Sequence, residues 1–350
     1  MKILKYLLFL FLIFIIGASV YVATKDGDFQ IEETLVIDAP KEVLFNEVND
    51  YVNWKSWEPW SKNAEDMIIN FGNKTSGKGA YYTWKSEDLG DGKIETLSSR
   101  PYTSIDQALT FKTLFGESRS AIYWNFEEVN GATEVTWGMQ GKQSFMEKLA
   151  FIFQKKSLSE MMRPKFKEGL EDMREVALNK MQKYNINVDG VIQHGGGYYM
   201  YITTASKISQ VDTQMERMLE EVSNFMNTNN IEIIGSPFVL YNQWNREKGT
   251  AIYSAGYFTP SEVITPMEST VLNDFLPNQK TLKTTLKGDY KNLQEAWTKA
   301  YGYIARNNLI MKEDANSFEV YVRGIKDSKN PADWITHLYI PLQTKEETEN

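Results

Sequence analysis

The stretch Tyr6–Ala23, YLLFLFLIFIIGASVYVA, carries no charge, and it constrains the chain more than any other feature. As a helix rising about 1.5 Å per residue it nearly crosses a hydrocarbon layer of ~30 Å. Lys2 and Lys5 precede it, and Lys25, Asp26 and Asp28 come after it. The excess of positive charge on the amino-terminal side predicts a cytoplasmic N-terminus, with everything after the run outside the cytoplasm. A cleaved signal peptide is the alternative. Its apolar core is usually about 7–15 residues long and ends in a small-x-small site. VYVATKD fits that poorly, so residues 1–26 are expected to be an uncleaved anchor, touching the membrane through residues 6–23.

The remainder of the chain is long enough for two cores, since single domains cluster near 100–150 residues. The formal net charge of -8, with no short basic cluster, argues against nucleic acid as a partner. The absence of cysteine excludes disulfides, thiolate nucleophiles and thiolate metal sites. Two histidines, His194 and His337, are too few and too far apart for a histidine metal centre, and both are expected to be structural or exposed. No metal and no cofactor is expected.

Residues 27–182 read as a first domain. FQIEETLVID, Phe29–Asp38, alternates as a strand, and Pro40 suits the first turn of a helix through Glu42, Val43, Phe45 and Val48. Trp54, Trp57 and Trp60 stand three apart, as in a cofactor box or, more commonly, a short helical corner packed on a sheet. Two hairpins come next. Gly79–Glu87 and Lys93–Ser99 flank a Gly-Asp-Gly turn, and Ser120–Glu128 and Thr133–Gly141 flank Asn130-Gly131. Leu158, Met161, Met162, Phe166, Leu170, Met173, Ala177 and Met181 recur at three and four, which predicts a long amphipathic helix.

With VIDAPKEVLFNEVNDYVNWKSWEPW at its start and NGATEVTWGMQG at its last hairpin, this segment resembles the SRPBCC superfamily of START-like, polyketide cyclase and lipid-transfer domains. The resemblance implies a helix-grip fold with an apolar cavity between a curved sheet and the long helix. Residues 183–196, which lack periodicity and end in Gly195-Gly196-Gly197 just beyond, are expected to be a flexible linker.

Residues 197–343 repeat one pattern twice. Tyr198–Thr203 reads as a strand. Val211, Met215, Met218, Leu219, Val222, Phe225 and Met226 form a helical stripe, and strands at Pro237–Trp244 and Thr250–Phe258 come after it. The order recurs as Lys280–Lys287, a helix through Leu293, Ala296, Trp297, Ala300, Tyr301 and Ile304, then Ser317–Arg323 and Trp334–Leu342. Two strand–helix–strand–strand copies predict a pseudo-twofold α+β unit with helices on one face of the sheet and a groove on the other. The whole chain is thus expected to be α+β, and residues 344–350 a disordered tail.

GSPFVLYNQW, KGDYKNLQEAWTKAYGYI, FEVYV and THLYIPL give this unit a resemblance to the GyrI-like effector-binding domain, which is also attached to AraC- and MerR-type regulators. On strand parity Phe318, Val320 and Val322 face one way and Glu319 and Tyr321 the other, the apolar set being expected against the helices. The resemblance implies that Glu319 lies at the base of a ligand pocket, with Tyr321 beside it. A carboxylate partly desolvated among aromatic rings suits a cationic or amphipathic aromatic ligand. The other reading of Glu319 is a solvated strand residue. Tyr241, Tyr253, Tyr257, Tyr290 and Trp334 are candidate wall or rim aromatics. The chain departs from the family in two ways: TAIYSAGYF lacks the acidic residue common in the fourth strand, and a DNA-binding helix-turn-helix has no counterpart.

Three functions fit this pattern. The first is a membrane-anchored protein binding a small hydrophobic or amphipathic ligand, mainly in the GyrI-like domain. The second is a hydrolase with Glu319 as general base, for which one carboxylate without a paired base or metal is thin support. The third is a membrane-tethered scaffold. The pattern leans away from an enzyme.

Overall fold

The computed structural model describes residues 2–344 apart from 64, 114, 115, 153 and 155. The chain divides into two compact units, Met1–Asn179 and Lys180–Asn350, each built on its own antiparallel sheet. The expected tail falls almost wholly outside the described residues.

The first unit begins with helix α1 (Lys2–Thr24), of which Tyr6–Thr24 is long and apolar enough to cross a membrane. A signal sequence would pass the same test. Among described side chains of residues 6–24, Val22 alone is buried. Strand β1 (Asp28–Ile37) leads into helices α2 (Lys41–Asn49) and α3 (Pro59–Asn63). Strands β2 (Ile68–Phe71), β3 (Tyr81–Lys85), β4 (Gly92–Arg100), β5 (Ser104–Thr113), β6 (Gly116–Val129) and β7 (Ala132–Lys142) come next. Helices α4 (Phe145–Ile152) and α5 (Leu158–Met181) close the unit. The seven strands run β1-β7-β6-β5-β4-β3-β2 across the sheet, a meander whose first strand returns to pair with its last. This is the arrangement that the helix-grip resemblance implied.

The tryptophan triplet is a packing corner. Trp57 is fully buried and lies edge-on to Trp124 and Trp137, while Trp60 meets Phe166 of α5. The alternating side chains Ile122, Trp124 and Phe126 of β6 and Val135, Trp137 and Met139 of β7 are buried throughout. Strand β5 leaves no clear signal in the sequence, because a glutamine interrupts its apolar face. Gln107 is nevertheless buried, donating to the Tyr51 hydroxyl and accepting from Trp124 Nε1. A buried amide is tolerated where its hydrogen bonds are made.

The second unit comprises β8 (Asn185–His194), β9 (Gly197–Lys207), α6 (Val211–Thr228), β10 (Ile234–Asn245) and β11 (Thr250–Thr259). A second set completes it: β12 (Leu272–Leu276), β13 (Gln279–Lys287), α7 (Leu293–Arg306), β14 (Phe318–Arg323) and β15 (Ile335–Pro341). The strand order β12-β9-β11-β10-β14-β15-β13-β8 is symmetric about the β10–β14 pair. Each half contributes a lead-in strand, a strand, a helix and a hairpin, and the lead-in strand of one half pairs with the first strand of the other.

The structure overturns the linker expected at 183–196. Strand β8 pairs with β13 from Asn185↔Lys287 to His194↔Gln279. It lies at the edge of the sheet with no fully buried residue; Ile186, Val188 and Ile192 of its half-buried face pack on the core, but Gly190 interrupts that apolar alternation, so the periodic signal is weak. The glycines after it are a corner: a Cβ on Gly196, which has φ +70°, would stand 2.1 Å from Leu276 O. Only a residue without a side chain fits where these two strands bend past each other.

Candidate ligand site

Strand β14 sits at the centre of the second sheet, between β10 and β15. Its parity is as expected, but both faces are covered. On one face Phe318 stacks on Tyr339 (4.8 Å, 17°), and the ring of His194 lies edge-on to Phe318 at 4.9 Å. His194 is structural here, accepting from Gly196 N at 3.2 Å, and burial lowers its proton affinity. His337, on β15, is half-buried and likewise pushed down, by burial first and then by Lys283.

The other face carries Glu319 and Tyr321, and it is the face covered by the helices. Tyr321 packs in one cluster with Val211 and Met218 of α6, and Glu319 is bonded to Trp297 of α7. This corrects the expectation of a groove on the helix-free side. Alternation decides which side chains share a face, but it cannot say which face the helices cover when neither is solvated. Helix α6 packs over β9 and β11, and α7 over β13 and β8. The central strands are left beneath the seam between the two helices.

Glu319 is 1% exposed. Tyr321 and Tyr241 each donate a hydroxyl to its Oε2, at 2.6 and 2.9 Å, and Trp297 Nε1 donates to Oε1 at 2.6 Å. These partners are neutral, and no ion pair to Glu319 is found among the described residues. Burial raises its affinity for protons; the three donors oppose that rise, and Asp212 adds to it. Both tyrosines are held well above their ordinary range, by burial first and then by the Glu319 charge. Three donors converging on two oxygens is the pattern of an ionised, acceptor-only carboxylate.

Around this centre Tyr290 lies edge-on to Tyr321 at 5.3 Å and packs on Trp334 at 4.6 Å. Trp297 stacks on the exposed Tyr301, and Tyr241 meets the exposed Trp244 edge-on at 5.4 Å. Of the seven residues singled out from sequence, Glu319, Tyr321, Tyr241, Tyr290 and Trp334 stand together. Tyr253 is fully buried in the same cluster, with its hydroxyl 3.4 Å from Val211 O. Tyr257 lies apart, packed with Met200, Val222, Met226 and Val271. Sequence periodicity places Trp297 only in the core stripe of a helix, and its part in the site is a finding of the structure. The available signal is an indole on a buried stripe, since a buried N–H requires an acceptor.

Residues 199–343 match the family model described as the GyrI-like small molecule binding domain. This part of the chain is a GyrI-like domain. No curated protein matches the chain. Among solved structures, the C-terminal domain of EcmrR is similar at 14% identity and a TM-score of 0.39, covering 46% of this chain and 98% of that one. The Aha1 dimer from Colwellia psychrerythraea is similar at 12% identity and a TM-score of 0.32, covering 43% and 96%. A protein from Chromobacterium violaceum is similar at 11% identity and 0.32, covering 42% and 96%.

Proposed function

We propose that the chain is a membrane-tethered binding protein whose GyrI-like domain captures a cationic, aromatic or amphipathic small molecule, with Glu319 as counter-charge. The observation that carries this is a carboxylate 1% exposed and held by three neutral donors. Such a group is costly to bury unpaired, so a cation arriving beside it gains both the charge and the aromatic faces. Tyr241, Tyr290, Tyr301, Trp244, Trp297 and Trp334 supply the rings. Access requires Trp297 or Tyr241 to swing aside, exchanging one neutral hydrogen bond for the ligand's charge.

The hydrolytic alternative needs a free oxygen on Glu319 to activate water. Both oxygens are engaged by side chains, which favours binding. In this reading α1 stays attached as the anchor, with its N-terminus cytoplasmic and both units outside.

The test titrates the full chain with rhodamine 6G and with an uncharged rhodamine of the same ring system. Glu319→Gln should weaken the cation at least about ten-fold, the equivalent of one lost charge-assisted contact, and leave the neutral dye unchanged. Equal binding of both dyes by the native chain, or an unaltered cation affinity in the variant, would sink the proposal. The anchor is checked separately by the intact mass of chain recovered from alkali-washed membranes. A chain lacking residues 1–24 contradicts it.

A further inference from the structure

Helix α4 has the polarity of a surface helix inverted. Five of its seven described side chains are apolar, Phe145, Met146, Leu149, Ala150 and Phe151, yet none of the seven is fully buried. Glu147 and Phe151, four apart, turn inward and line the cavity between the sheet and α5. Leu149 lies opposite them on the helix, flanked by Phe145 and Met146. A helix between core and water turns its apolar stripe to the core; here Phe145, 39% exposed, looks away from it. The one acid of the helix is held back by its own cap. Ser144 N donates to Glu147 Oε2 at 2.7 Å and Glu147 N to Ser144 Oγ at 3.3 Å, a reciprocal pair that fixes the start of a short helix.

Beside that outward face stands the end of α1. Residues 6–17 of α1 are all exposed, so the helix runs clear of the sheet, and its contact with the rest of the unit is with α4. Tyr21 is 55% exposed and Lys25 Nζ lies 4.7 Å over its ring. An aromatic ring and a cation closing an apolar span mark the level of a membrane–water interface. Helix α4 is fastened at this level. Gln143 N donates to Gly27 O, and Lys148 Nζ to Lys25 O, each at 2.8 Å. The backbones meet closely enough to require a glycine, since a Cβ on Gly27 would stand 2.7 Å from Gln143 O.

The dimensions leave α4 little room to avoid the lipid. Thr24 and Gly27 are at most about 10 Å apart even in an extended chain, and the headgroup zone is ~5–8 Å deep on each side of the hydrocarbon. A helix about 10–12 Å across, fastened there, reaches the headgroups with its outward side.

We infer that α4 is an interfacial helix whose Phe145, Met146 and Leu149 face rests in the headgroup layer of the bilayer that α1 crosses. It seats the first unit on the membrane, where a free stalk would hold it off. This rests on α1 as the anchor, and it is independent of Glu319, which lies in the other unit.

The test places the full chain in phosphatidylcholine vesicles. The chain has no cysteine, so Phe145→Cys carries a single nitroxide at an exposed position. Oxygen concentrates in lipid and the nickel chelate NiEDDA in water, and the ratio of their effects on the label's relaxation reads its depth. Oxygen should dominate at Phe145, about 5–10 Å into the headgroup–acyl boundary. NiEDDA should dominate at Val36→Cys, 51% exposed and roughly 26 Å along β1 from Asp28. NiEDDA dominance at Phe145 overturns the inference, and so does exclusion of both reagents, the sign of a protein partner or a second copy on this face. The native chain supplies a reading without any substitution. With a phosphatidylcholine carrying a diazirine on its acyl chain, photo-adducts should appear in the tryptic peptide 143–148 as well as in α1; adducts in α1 alone overturn the inference too. Ile13→Cys reports the anchor separately: a label in water there removes the anchor reading and a label in lipid keeps it, whichever way Phe145 reads.

Discussion

Replacing Glu319 with glutamine removes the charge and almost nothing else, so it isolates the cost of keeping that charge buried. Three hydrogen bonds to a charged acceptor contribute about 1.5–3 kcal/mol each. Against them stands an effective burial penalty of several kcal/mol for an ion without a counter-ion. Proton affinity at Glu319 is raised, with burial as the leading cause, so the penalty outweighs the bonds. Glutamine can be fully satisfied in the same place. Its carbonyl accepts from Trp297 Nε1, and its amide donates to the Tyr241 and Tyr321 hydroxyls after these rotate.

The variant should therefore be more stable at pH 8, by about 1–2 kcal/mol, the scale on which neutralising a buried charge commonly stabilises. The sign follows from linkage. In the unfolded chain the glutamate ionises near pH ~4.3, whereas the folded chain holds its proton to higher pH. The contribution of this group to native stability is thus highest below pH ~4.3. It falls as pH rises to the folded value, by at most ~1.4 kcal/mol per unit, and is level above it. Glutamine abolishes that slope. Urea titrations of the full chain labelled with 5-fluorotryptophan, followed by ¹⁹F NMR at the Trp297 resonance, report this unit alone. A variant less stable than the native chain at pH 8, or a difference that does not change between pH 4 and pH 8, would refute the reasoning.

The same geometry carries two further expected outcomes. Trp297→Phe leaves Oε1 without its donor; it should cost about 1.5–3 kcal/mol at neutral pH and move the Glu319 titration upward, read by ¹³C NMR of the carboxyl. Gly196→Ala places a Cβ against Leu276 O at a residue with φ +70°, and should destabilise the second unit by about 2 kcal/mol or more in urea unfolding, whereas a free linker there would absorb the change without loss.

Much of the architecture is written locally. The Asn130-Gly131 turn and the alternation on either side of it specify the β6–β7 hairpin, and the three-and-four spacing from Leu158 to Met181 specifies α5. The doubled strand–helix–strand–strand order, legible without any knowledge of pairing, is the repeat that the sheet displays. Where an element lacks a continuous apolar face the signal fails. Gln107 hides β5, although its amide is satisfied in the core, and β8 hides in a segment that looks like linker because Gly190 breaks the apolar alternation of its half-buried Ile186, Val188 and Ile192.

The candidate site divides in the same way. Sequence alone determined that Glu319 and Tyr321 share a face of one strand, because side-chain parity is a property of the local chain. It also fixed the uncharged run near the N-terminus and the absence of any cysteine chemistry. Only the tertiary structure decided that this face lies under the seam of α6 and α7, that Trp297 completes the carboxylate's donors, and that Tyr257 stands elsewhere. Those facts depend on contacts between residues some 20 to 80 positions apart, such as Trp297 and Tyr241 with Glu319, and no local periodicity encodes which of two buried faces a helix will cover.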